Sequence, residues 1–462
     1  MNKTLAPNYN RAFRPADIRG TYPDQINEYT AYSIARAFVE EFKYKKIVVG
    51  YDMRLSTPAL RKAFIDGARE SGASVIDIGM VRSPMLYFAS GVLNLPGAVI
   101  TASHSPKDYN GIKLVAPKAV PLTAETGLTA IRNRVTKGEF KDAKKRGGYT
   151  KQSFKRQFRT YILKGLKKEI FKGMTVATDI GNGMSGASMA SIDDALPAKF
   201  PMIFKKPDGR FPNRDSDPCL RKNQKYLIEL IKKKQADFGI GFDGDGDRIA
   251  FLDEKGNYIN CAAIGALLAK RLIEKESGAG IVYTNLTSKI LVDTVKASKG
   301  KAVRARVGHT FLKERMRATK AVFGAEHSGH FFWRDFFNTD STILTLLAVM
   351  EAYAEAREAG KTFSEMMKPY TVYSQTEDVV VEVSDKKLAM ELLIKEVKKM
   401  KPKKITLFDG CFVEFDEVWG AIKPSVTEDA IKLMFESKSK AKATSVQKQL
   451  LTKLKAIAKK LN

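Results

Sequence analysis

The sequence predicts an α/β protein of four domains: three tandem α/β units with mixed sheets, then a smaller C-terminal α+β unit. Its 462 residues exceed what a single hydrophobic core usually organises, about 250–300 residues. Short continuous apolar runs alternate with amphipathic segments, a pattern typical of sheets covered by helices on both faces. The pattern restarts twice, and the chain changes character near Thr371. We therefore expect domains at 1–150, 151–257, 258–370 and 371–462.

The first unit is predicted by five alternating segments. Apolar runs that indicate strands are "KKIVVGYD" (45–52), "ASVIDIGM" and "GAVITAS". The segments between them, "TPALRKAFIDGARESG" and "SPMLYFASGVLNL", are typical of covering helices. Because strand and helix alternate, we expect a mostly parallel sheet here.

The second and third units repeat this order. In "GMTVATDIGNGMSGASMASI" (173–192) a strand leads into a glycine-rich loop and a helix, and "ADFGIGFD" closes the unit with another strand. The third unit is predicted as helix 261–275, strand "GIVYTN", helix "TSKILVDTVKASKG" and strand "KAVRARV". Three similar units in tandem indicate an internally repeated architecture.

The last unit has a different pattern. "TEDVVVEV" alternates like a half-exposed strand, "KKLAMELLIKEVKKM" has helical spacing, and "CFVEFDEVWGAIKPS" is typical of antiparallel strands. One face of the final segment collects the apolar residues Val446, Leu450, Leu451, Leu454, Ile457 and Leu461. We expect a terminal helix that packs on its own domain rather than on a membrane surface.

Composition narrows the function classes. The net charge of +28 makes nucleic-acid binding a hypothesis to weigh, but the basic residues are spread along the chain without a recognisable nucleic-acid-binding motif. A basic surface also suits small phosphorylated substrates. The N-terminus lacks a signal-peptide pattern, no apolar run reaches the roughly 18 residues of a membrane span, and the three cysteines have no Cys-x-x-Cys spacing. The sequence therefore predicts a cytoplasmic protein without a membrane partner.

Three aspartates predict a metal site. In "FDGDGDRI", Asp243, Asp245 and Asp247 alternate with glycines, which brings mutually repelling carboxylates within a few ångströms of one another. Oxygen ligands without histidine or cysteine favour Mg²⁺ before Ca²⁺. An EF-hand is excluded because Arg248 occupies the position of its required glycine and the flanking segments indicate strands. Arg248 directly after the carboxylates indicates that a phosphoryl group shares the site.

A serine beside a histidine is the second candidate site. Ser103 and His104 lie in "TASHSPKDYNGIKLV" (101–115), which follows an apolar strand. This stretch is either a nucleophile loop or a polar turn that closes the strand. Because neighbours in an extended segment point to opposite faces, we do not expect His104 to act as a base on Ser103.

Two further loops carry polar clusters. Glu326, His327, Ser328 and His330 crowd into "GAEHSGH", and His309 lies in "RVGHTFLKERM". Carboxylate, imidazole and hydroxyl groups at such density suit a hydroxyl-rich ligand such as a sugar. All four histidines of the chain are expected in strand-end loops, where α/β proteins build their sites.

A final cluster lies near the C-terminus. Lys423, Ser425, Thr427 and Lys432 surround what we interpret as a strand-to-helix turn in "WGAIKPSVTEDAIKLMFE". Hydroxyls and backbone N–H groups at a helix N-terminus, flanked by lysines, would form an anion cradle. An ordinary helix cap with solvated lysines remains the alternative.

Nine segments in series carry a family resemblance. In order they are "FRPADIRG", "VVGYDMRLS", "VITASHSPKDYNGIKL", "TDIGNGMSG", "FPNRDSDP", "FDGDGDRI", "VGHTFLKERM", "GAEHSGHFFWRD" and "KPSVTED". Together they resemble the α-D-phosphohexomutase superfamily, specifically its phosphomannomutase/phosphoglucomutase group. The resemblance implies four domains around a central cleft and transfer of phosphate between O1 and O6 of a hexose, through a hexose 1,6-bisphosphate intermediate that also acts as activator.

The resemblance also implies residue roles. Ser103 corresponds to the serine that carries phosphate, and Asp243, Asp245 and Asp247 would hold Mg²⁺ together with it. The remaining catalytic candidates are Arg19, Arg248, Lys113, His330 and His104. Sugar and distal-phosphate binding would fall to His309, Glu326, Ser328, Lys423, Ser425, Thr427 and Lys432.

Two departures from the family pattern affect the expected affinity for the distal phosphate. Lys423 and Lys432 stand where the family usually has arginine. Lysine binds phosphate as a point charge without the planar fork of arginine, so we expect a weaker grip on the distal phosphate.

Mannose and glucose phosphates are the expected substrates, and the protein is expected to be a monomer or dimer. Within the family, phosphoglucosamine mutase is the alternative. From other classes, the alternatives are a basic nucleic-acid-binding protein with an idle sugar site, and a Mg²⁺-dependent phosphatase that uses Ser103 as its carrier.

Overall fold

The computed structural model of the protein describes residues 4–425 and 429–461. The chain divides into two compact units, which are described separately below. The first unit is Met1–Ile259 with Ser328–Met366, and the second unit is Asn260–His327 with Met367–Asn462.

The first α/β region begins with a seven-stranded sheet and four helices. The strands are β1 (Ile18–Thr21), β2 (Lys46–Tyr51), β3 (Ser74–Met80), β4 (Gly97–Ile100), β5 (Tyr109–Ala116), β6 (Val120–Pro121) and β7 (Tyr149–Lys151), and the helices are α1 (Glu28–Phe42), α2 (Thr57–Glu70), α3 (Ser83–Leu93) and α4 (Thr129–Lys137).

The sheet is mixed, with the order β1-β5-β4-β2-β3-β7 and β6 paired to β5. Strands β4, β2, β3 and β7 are parallel, whereas β5 runs antiparallel to β4 and to β1. Parallel neighbours need crossover helices, so α2 lies between β2 and β3 in the chain and α3 between β3 and β4. The five alternating segments predicted from the sequence are thereby confirmed.

A second sheet follows in the same unit. Its region contains α5 (Lys155–Ile162), β8 (Val176–Asp179), α6 (Gly186–Asp193), β9 (Met202–Ile203), α7 (Lys225–Lys234), β10 (Phe238–Phe242), β11 (Ile249–Leu252) and β12 (Tyr258–Ile259). The sheet order is β12-β11-β10-β8-β9. Strands β10 and β11 are antiparallel neighbours, so the three aspartates lie in the connection between two fully buried strands.

The third α/β region starts in the second unit with α8 (Cys261–Lys275), β13 (Gly280–Thr284), α9 (Lys289–Ala297), β14 (Lys301–Ala305), α10 (His309–Thr319) and β15 (Phe323–Ala325). Strand β13 pairs in parallel with β14 and with β15. The chain then returns to the first unit with the antiparallel strands β16 (Phe331–Trp333) and β17 (Thr339–Asp340), followed by α11 (Thr342–Glu358) and α12 (Phe363–Met367). Helix 261–275 has the bounds that the sequence predicted.

The C-terminal region of the second unit is an antiparallel sheet with two long helices. Its elements are β18 (Ser374–Gln375), β19 (Val379–Glu382), α13 (Lys386–Lys399), β20 (Lys404–Leu407), β21 (Cys411–Glu414), β22 (Val418–Pro424), β23 (Ala430–Ser437) and α14 (Lys440–Leu461). The order is β18-β23-β22-β21-β20, with β19 paired to β23. Leu450, Leu454 and Ile457 of α14 belong to the same buried cluster as Leu393 and Val397 of α13. The prediction that the terminal helix packs on its own domain is confirmed.

One local prediction was wrong. The segment around 423–432 connects strand to strand, because β22 and β23 form an antiparallel pair with Lys423 opposite Lys432. The alternation of "AIKLMFES" places Ile431, Leu433 and Phe435 in the buried cluster, and this period of two is typical of a strand. No helix N-terminus is therefore available for the predicted anion cradle.

The predicted fold class is confirmed: three α/β regions with mixed sheets precede a smaller region with its own sheet. None of the described helices has the length and apolar character that crossing a membrane requires.

Candidate active site

Ser103 lies in a tight turn directly after β4. Its φ of 50° is in the left-handed region, and its side chain is buried. The guanidinium of Arg54 holds this turn from behind: Nη2 donates to the carbonyl oxygens of Ser103 (2.8 Å) and Ser105 (2.6 Å). Nη1 donates to those of Pro106 (2.5 Å) and Tyr109 (2.9 Å). One buried arginine thus fixes the backbone that presents the serine.

The turn changes the relation between Ser103 and His104. The prediction assumed an extended segment with the two side chains on opposite faces, and this was wrong because Ser103 is left-handed. His104 Nδ1 lies 3.4 Å from Ser103 Oγ. Burial, and then the positive charges of Arg248 and Arg19, lower the pKa of His104 well below its ordinary value. The imidazole beside the serine is therefore neutral near pH 7.

Ser103 also contacts the acidic loop, which is the β10–β11 connection that carries Asp243, Asp245 and Asp247. Its Oγ donates a hydrogen bond to Asp243 Oδ2 (2.7 Å) and lies 3.4 Å from Asp247 Oδ1. These contacts join the loop after β4 in the first sheet to the β10–β11 connection in the second. Two segments separated by more than a hundred residues thus build one site within the first unit.

The three aspartates form a compact, buried group. One ligand oxygen from each of Asp243, Asp245 and Asp247 lies within 4.8 Å of the others, and all three side chains are almost fully buried. The glycines between them are required sterically. A Cβ on Gly244 would lie 2.8 Å from Ser103 O, and Gly246 has a φ of +71°.

The electrostatics of this group fit a bound cation. Burial, followed by repulsion from Asp247 and Asp245, raises the pKa of Asp243 well above its ordinary value. Asp245 Oδ1 is buried and receives no hydrogen bond from any described residue. Three converging carboxylates with an unsatisfied oxygen are a donor set for a hard divalent ion. The site residues can therefore hold a metal ion.

Lys113 partly neutralises the triad. Lys113 lies on the buried strand β5, and its Nζ donates hydrogen bonds to Asp245 Oδ2 (2.7 Å) and Asp247 Oδ2 (2.5 Å). Burial alone would lower the pKa of Lys113, but these two carboxylates outweigh burial and raise it well above its ordinary value. The lysine is therefore charged, and it leaves the three carboxylates with a net negative charge.

Two arginines lie near the turn that contains Ser103. Arg248 Nη1 lies 3.4 Å from Asp217 Oδ2, and the Arg248 backbone N–H donates to Asp243 Oδ1 (3.1 Å). Arg19, on β1, pairs with Asp17 at 2.5 Å, and its Nη1 donates to Ser105 Oγ (3.3 Å). The positive charges of both side chains act on His104, so the structure brings them to one neighbourhood.

His330 and Ser328 join the same site. His330 is buried, with Nε2 3.3 Å from Asp247 Oδ1 and Nδ1 2.9 Å from Ser328 Oγ. The first unit thus collects eight predicted residues around Ser103: Arg19, His104, Lys113, Asp243, Asp245, Asp247, Arg248 and His330, with Ser328 behind His330.

The other predicted binding residues lie in the second unit. Glu326 Oε1 accepts a hydrogen bond from the N–H of Gly308 (3.0 Å), next to His309. His309 is the first residue of α10 rather than a loop residue, as the sequence had predicted. Asp409 Oδ2 accepts from the N–H of Val307 (2.6 Å) and forms an ion pair with the buried Lys423.

The remaining lysine and hydroxyls flank the β22–β23 pair. Lys423 and Lys432 are directly opposite each other, and like charges in that position repel. Ser425 is buried, and its N–H donates to Ala430 O (2.7 Å). Thr427 lies outside the described residues.

Three domain profiles of phosphoglucomutase/phosphomannomutase proteins match the chain. The alpha/beta/alpha domain I matches residues 10–142, domain II matches 155–256 and domain III matches 260–373. These matches cover more than half of the sequence. The chain belongs to the phosphoglucomutase/phosphomannomutase family.

Individual relatives agree with the family. The chain is 31% identical over 445 residues to "Phosphohexose mutases" of Xanthomonas campestris pv. campestris (strain B100), covering 96% of this chain and 98% of that protein. It is 32% identical over 453 residues to a phosphomannomutase of Vibrio cholerae, covering 96% and 97%. A solved phosphoglucomutase/phosphomannomutase family protein from Burkholderia thailandensis has a TM-score of 0.89 at 28% identity, with 98% of each chain covered. This chain is thus an isomerase of the phosphohexomutase class.

Sequence reasoning missed three residues that shape this phosphohexomutase. Arg54 clamps the serine turn, Ser83 Oγ donates to Asp245 Oδ2 (2.6 Å), and Asp409 anchors Lys423. Arg54 lies in "VVGYDMRLS", one of the nine segments that carry the family resemblance. That resemblance was therefore a signal by which Arg54 could have been found. Nothing local marks Ser83 or Asp409, because their partners are distant in sequence.

Proposed function

We propose that the chain interconverts hexose 1-phosphate and hexose 6-phosphate, with mannose, glucose or both as the sugar, through a phosphoserine at Ser103. The observation that carries this proposal is the contact of Ser103 Oγ with Asp243 in a buried carboxylate triad. A hydroxyl held at a cation site, flanked by Lys113 and Arg248, is arranged to exchange a phosphoryl group rather than an acyl group.

In the first half-reaction, phosphoserine donates its phosphoryl group to the free hydroxyl of a hexose monophosphate. The bond from phosphorus to Ser103 Oγ breaks, and a bond from phosphorus to the sugar oxygen forms. The sugar hydroxyl loses its proton to a base, for which His330 is our candidate, and Ser103 Oγ takes up a proton. The second half-reaction reverses these changes with the other phosphate of the hexose 1,6-bisphosphate, so that atoms and protons balance over the cycle.

Asp243, Asp245 and Asp247 would hold Mg²⁺ in this scheme, together with an oxygen of the phosphorylated Ser103. Such an ion would supply electrostatic stabilisation for the charge that phosphoryl transfer places on the peripheral oxygens. The protein's own contribution is positioning. Arg54 fixes the serine turn, and Arg19 and Arg248 provide fixed positive charge for the transferring group.

Glu326, His309 and Ser328 are our candidates for the sugar hydroxyls. Lys423, Ser425, Thr427 and Lys432 are our candidates for the phosphate that does not react. The cross-strand lysines support this role because they place two cationic side chains opposite each other, of which Lys423 is paired with Asp409. Phosphosugars are therefore the proposed ligands of the chain.

The test is a steady-state assay with Mg²⁺ on mannose 1-phosphate, glucose 1-phosphate and glucosamine 1-phosphate. We expect 6-phosphates from the first two, stimulated by hexose 1,6-bisphosphate, and loss of turnover in Ser103→Ala. The exposed Ser153 provides a matched control: Ser153→Ala should keep wild-type turnover. Intact mass should show one phosphate that maps to Ser103.

Three outcomes would contradict the proposal. Preference for glucosamine 1-phosphate would assign the chain to the phosphoglucosamine mutases. Phosphate release faster than isomerisation would indicate a phosphatase. Full turnover in Ser103→Ala would remove the phosphoserine from the mechanism.

A further inference from the structure

A cavity separate from the Ser103 site lies in the first unit. It has a volume of about 510 Å³ and is bordered by residues of α3, α5 and α6. This volume is in the range of small-molecule sites, about 300–1,000 Å³. Buried apolar side chains form its floor, namely Met85, Phe158, Ile162 and Met184.

Four cationic side chains line the cavity. Arg82, Lys155, Arg156 and Arg159 line it, and no lining residue is acidic. Lys155 and Arg156 are exposed, Arg159 is half-buried and Arg82 is buried. The cations therefore extend from the rim to the buried wall, while the floor is apolar.

Only one of the three guanidinium nitrogens of Arg82 donates a hydrogen bond to a described residue. Its Nη1 donates to Thr342 Oγ1 (3.0 Å), and the ring of Phe158 lies 5.4 Å from its Cζ. Nε and Nη2 are buried, and no described residue accepts a hydrogen bond from them. A buried guanidinium N–H without an acceptor is costly. An anionic group beside Arg82 would remove this cost.

The cavity adjoins the acidic loop at Arg82. The side chain of Arg82 packs against Gly246, since a Cβ placed on that glycine would lie 2.7 Å from Arg82 Cδ. Ser103, Lys113 and His330 contact the triad but do not line the cavity. A ligand in the cavity would therefore occupy a site distinct from the one proposed for the phosphosugar.

We propose that this cavity binds an amphiphilic organic anion, with a carboxylate or phosphate head at Arg82 and Arg159 and an apolar body against Phe158, Ile162 and Met184. The apolar floor excludes a purely polar ligand such as inorganic phosphate. The four cations and the unpaired guanidinium N–H groups select against a neutral amphiphile. Both selectivities follow from the lining and do not depend on the mutase reaction.

The test is a fluorescence titration of the full chain with 8-anilinonaphthalene-1-sulfonate. This probe is an amphiphilic anion whose fluorescence increases when it binds in an apolar environment. Octanoate, octyl phosphate, 1-octanol and acetate then compete as probes. We expect saturable binding to one site, with displacement by octanoate or octyl phosphate. The neutral 1-octanol should be weaker by about tenfold, because a hydrogen bond to a charged group contributes about 1.5 kcal/mol or more. Comparison of octanoate with octyl phosphate identifies the head group.

Two variant pairs localise the site. Ala187 and Ala190 are both exposed on α6, but only Ala187 lines the cavity. Ala187→Trp should abolish probe binding, and Ala190→Trp should retain it. Arg159→Gln should weaken binding by about threefold, as expected for a half-exposed charge, whereas Lys164→Gln, outside the lining, should not.

Equal displacement by 1-octanol and octanoate would overturn the proposal, as would equal binding by the two tryptophan variants. Unchanged thermal unfolding of these variants would show that loss of binding is not loss of folding. Because the readout is probe fluorescence, a negative result here leaves the proposed mutase function untouched.

Discussion

Replacement of Arg54 by methionine tests whether the serine turn depends on one buried guanidinium. Arg54 makes four hydrogen bonds of 2.5–2.9 Å to the carbonyl oxygens of the turn, and its Nε lies 3.4 Å from the buried Asp52. Methionine keeps the apolar stem but removes every donor. Asp52 and four carbonyl oxygens would then lose this partner, although Asp52 keeps its hydrogen bond from Thr57 Oγ1.

The size of the effect follows from the buried charge rather than from a sum of bonds. Removing one member of a buried ion pair costs about 3–5 kcal/mol, and adding each hydrogen bond to that figure would count the same desolvation twice. Burial also lowers the pKa of Arg54 despite the attraction of Asp52. Part of the attraction between the two charges is therefore spent on offsetting the desolvation of the guanidinium. We expect Arg54→Met to lower the free energy of unfolding by about 3–5 kcal/mol.

The assays are urea unfolding and steady-state kinetics on the same preparations. Turnover should fall more than the Michaelis constant rises, because the change displaces Ser103 and leaves the sugar contacts intact. Arg54→Lys keeps the positive charge but lacks the planar, multiple-donor guanidinium. Its unfolding free energy and turnover should lie between those of the wild type and Arg54→Met. The reasoning would be refuted by wild-type turnover in Arg54→Met, or by a change in unfolding free energy below about 1 kcal/mol.

Three further predictions concern other residues. Lys113→Met removes a cation that lies within 3 Å of both Asp245 and Asp247, so saturating Mg²⁺ should raise its Tm more than that of the wild type in thermal-shift assays; an equal shift would contradict the cation site. Lys423→Met should raise the Michaelis constant for the hexose phosphate by about tenfold, because a hydrogen bond to a charged group contributes about 1.5 kcal/mol, and Lys423→Arg should lower it; opposite signs in steady-state kinetics would remove Lys423 from phosphate binding. Burial raises the pKa of the Cys411 thiol to about 11, so between pH 7 and 9 Ellman's reagent should modify the half-buried Cys219 and leave Cys411 protonated and unmodified; peptide mapping that finds Cys411 labelled first would contradict this.

Much of the fold was predictable because its patterns are local. Helix 261–275 and the apolar face of α14 follow from periodicity, and short apolar runs predicted β2, β3 and β4. The segment around Lys432 was misassigned because polar residues of the turn obscured its alternation with a period of two. Pairing of β23 with β22 decides that segment, and pairing is a contact between distant residues.

The sequence by itself determined the chemistry of the site: three aspartates spaced by glycines, a serine after a buried strand, and the family to which these segments belong. Only the tertiary structure decided the geometry. The left-handed turn at Ser103 brings His104 to the same side as the serine, and its backbone is held by Arg54. The unpaired N–H groups of Arg82 and the apolar floor beside them likewise arise from α3, α5 and α6 packing together. The physical reason is that periodicity and spacing record the surroundings of one segment, whereas side-chain direction, burial and charge compensation depend on which distant segments pack against it.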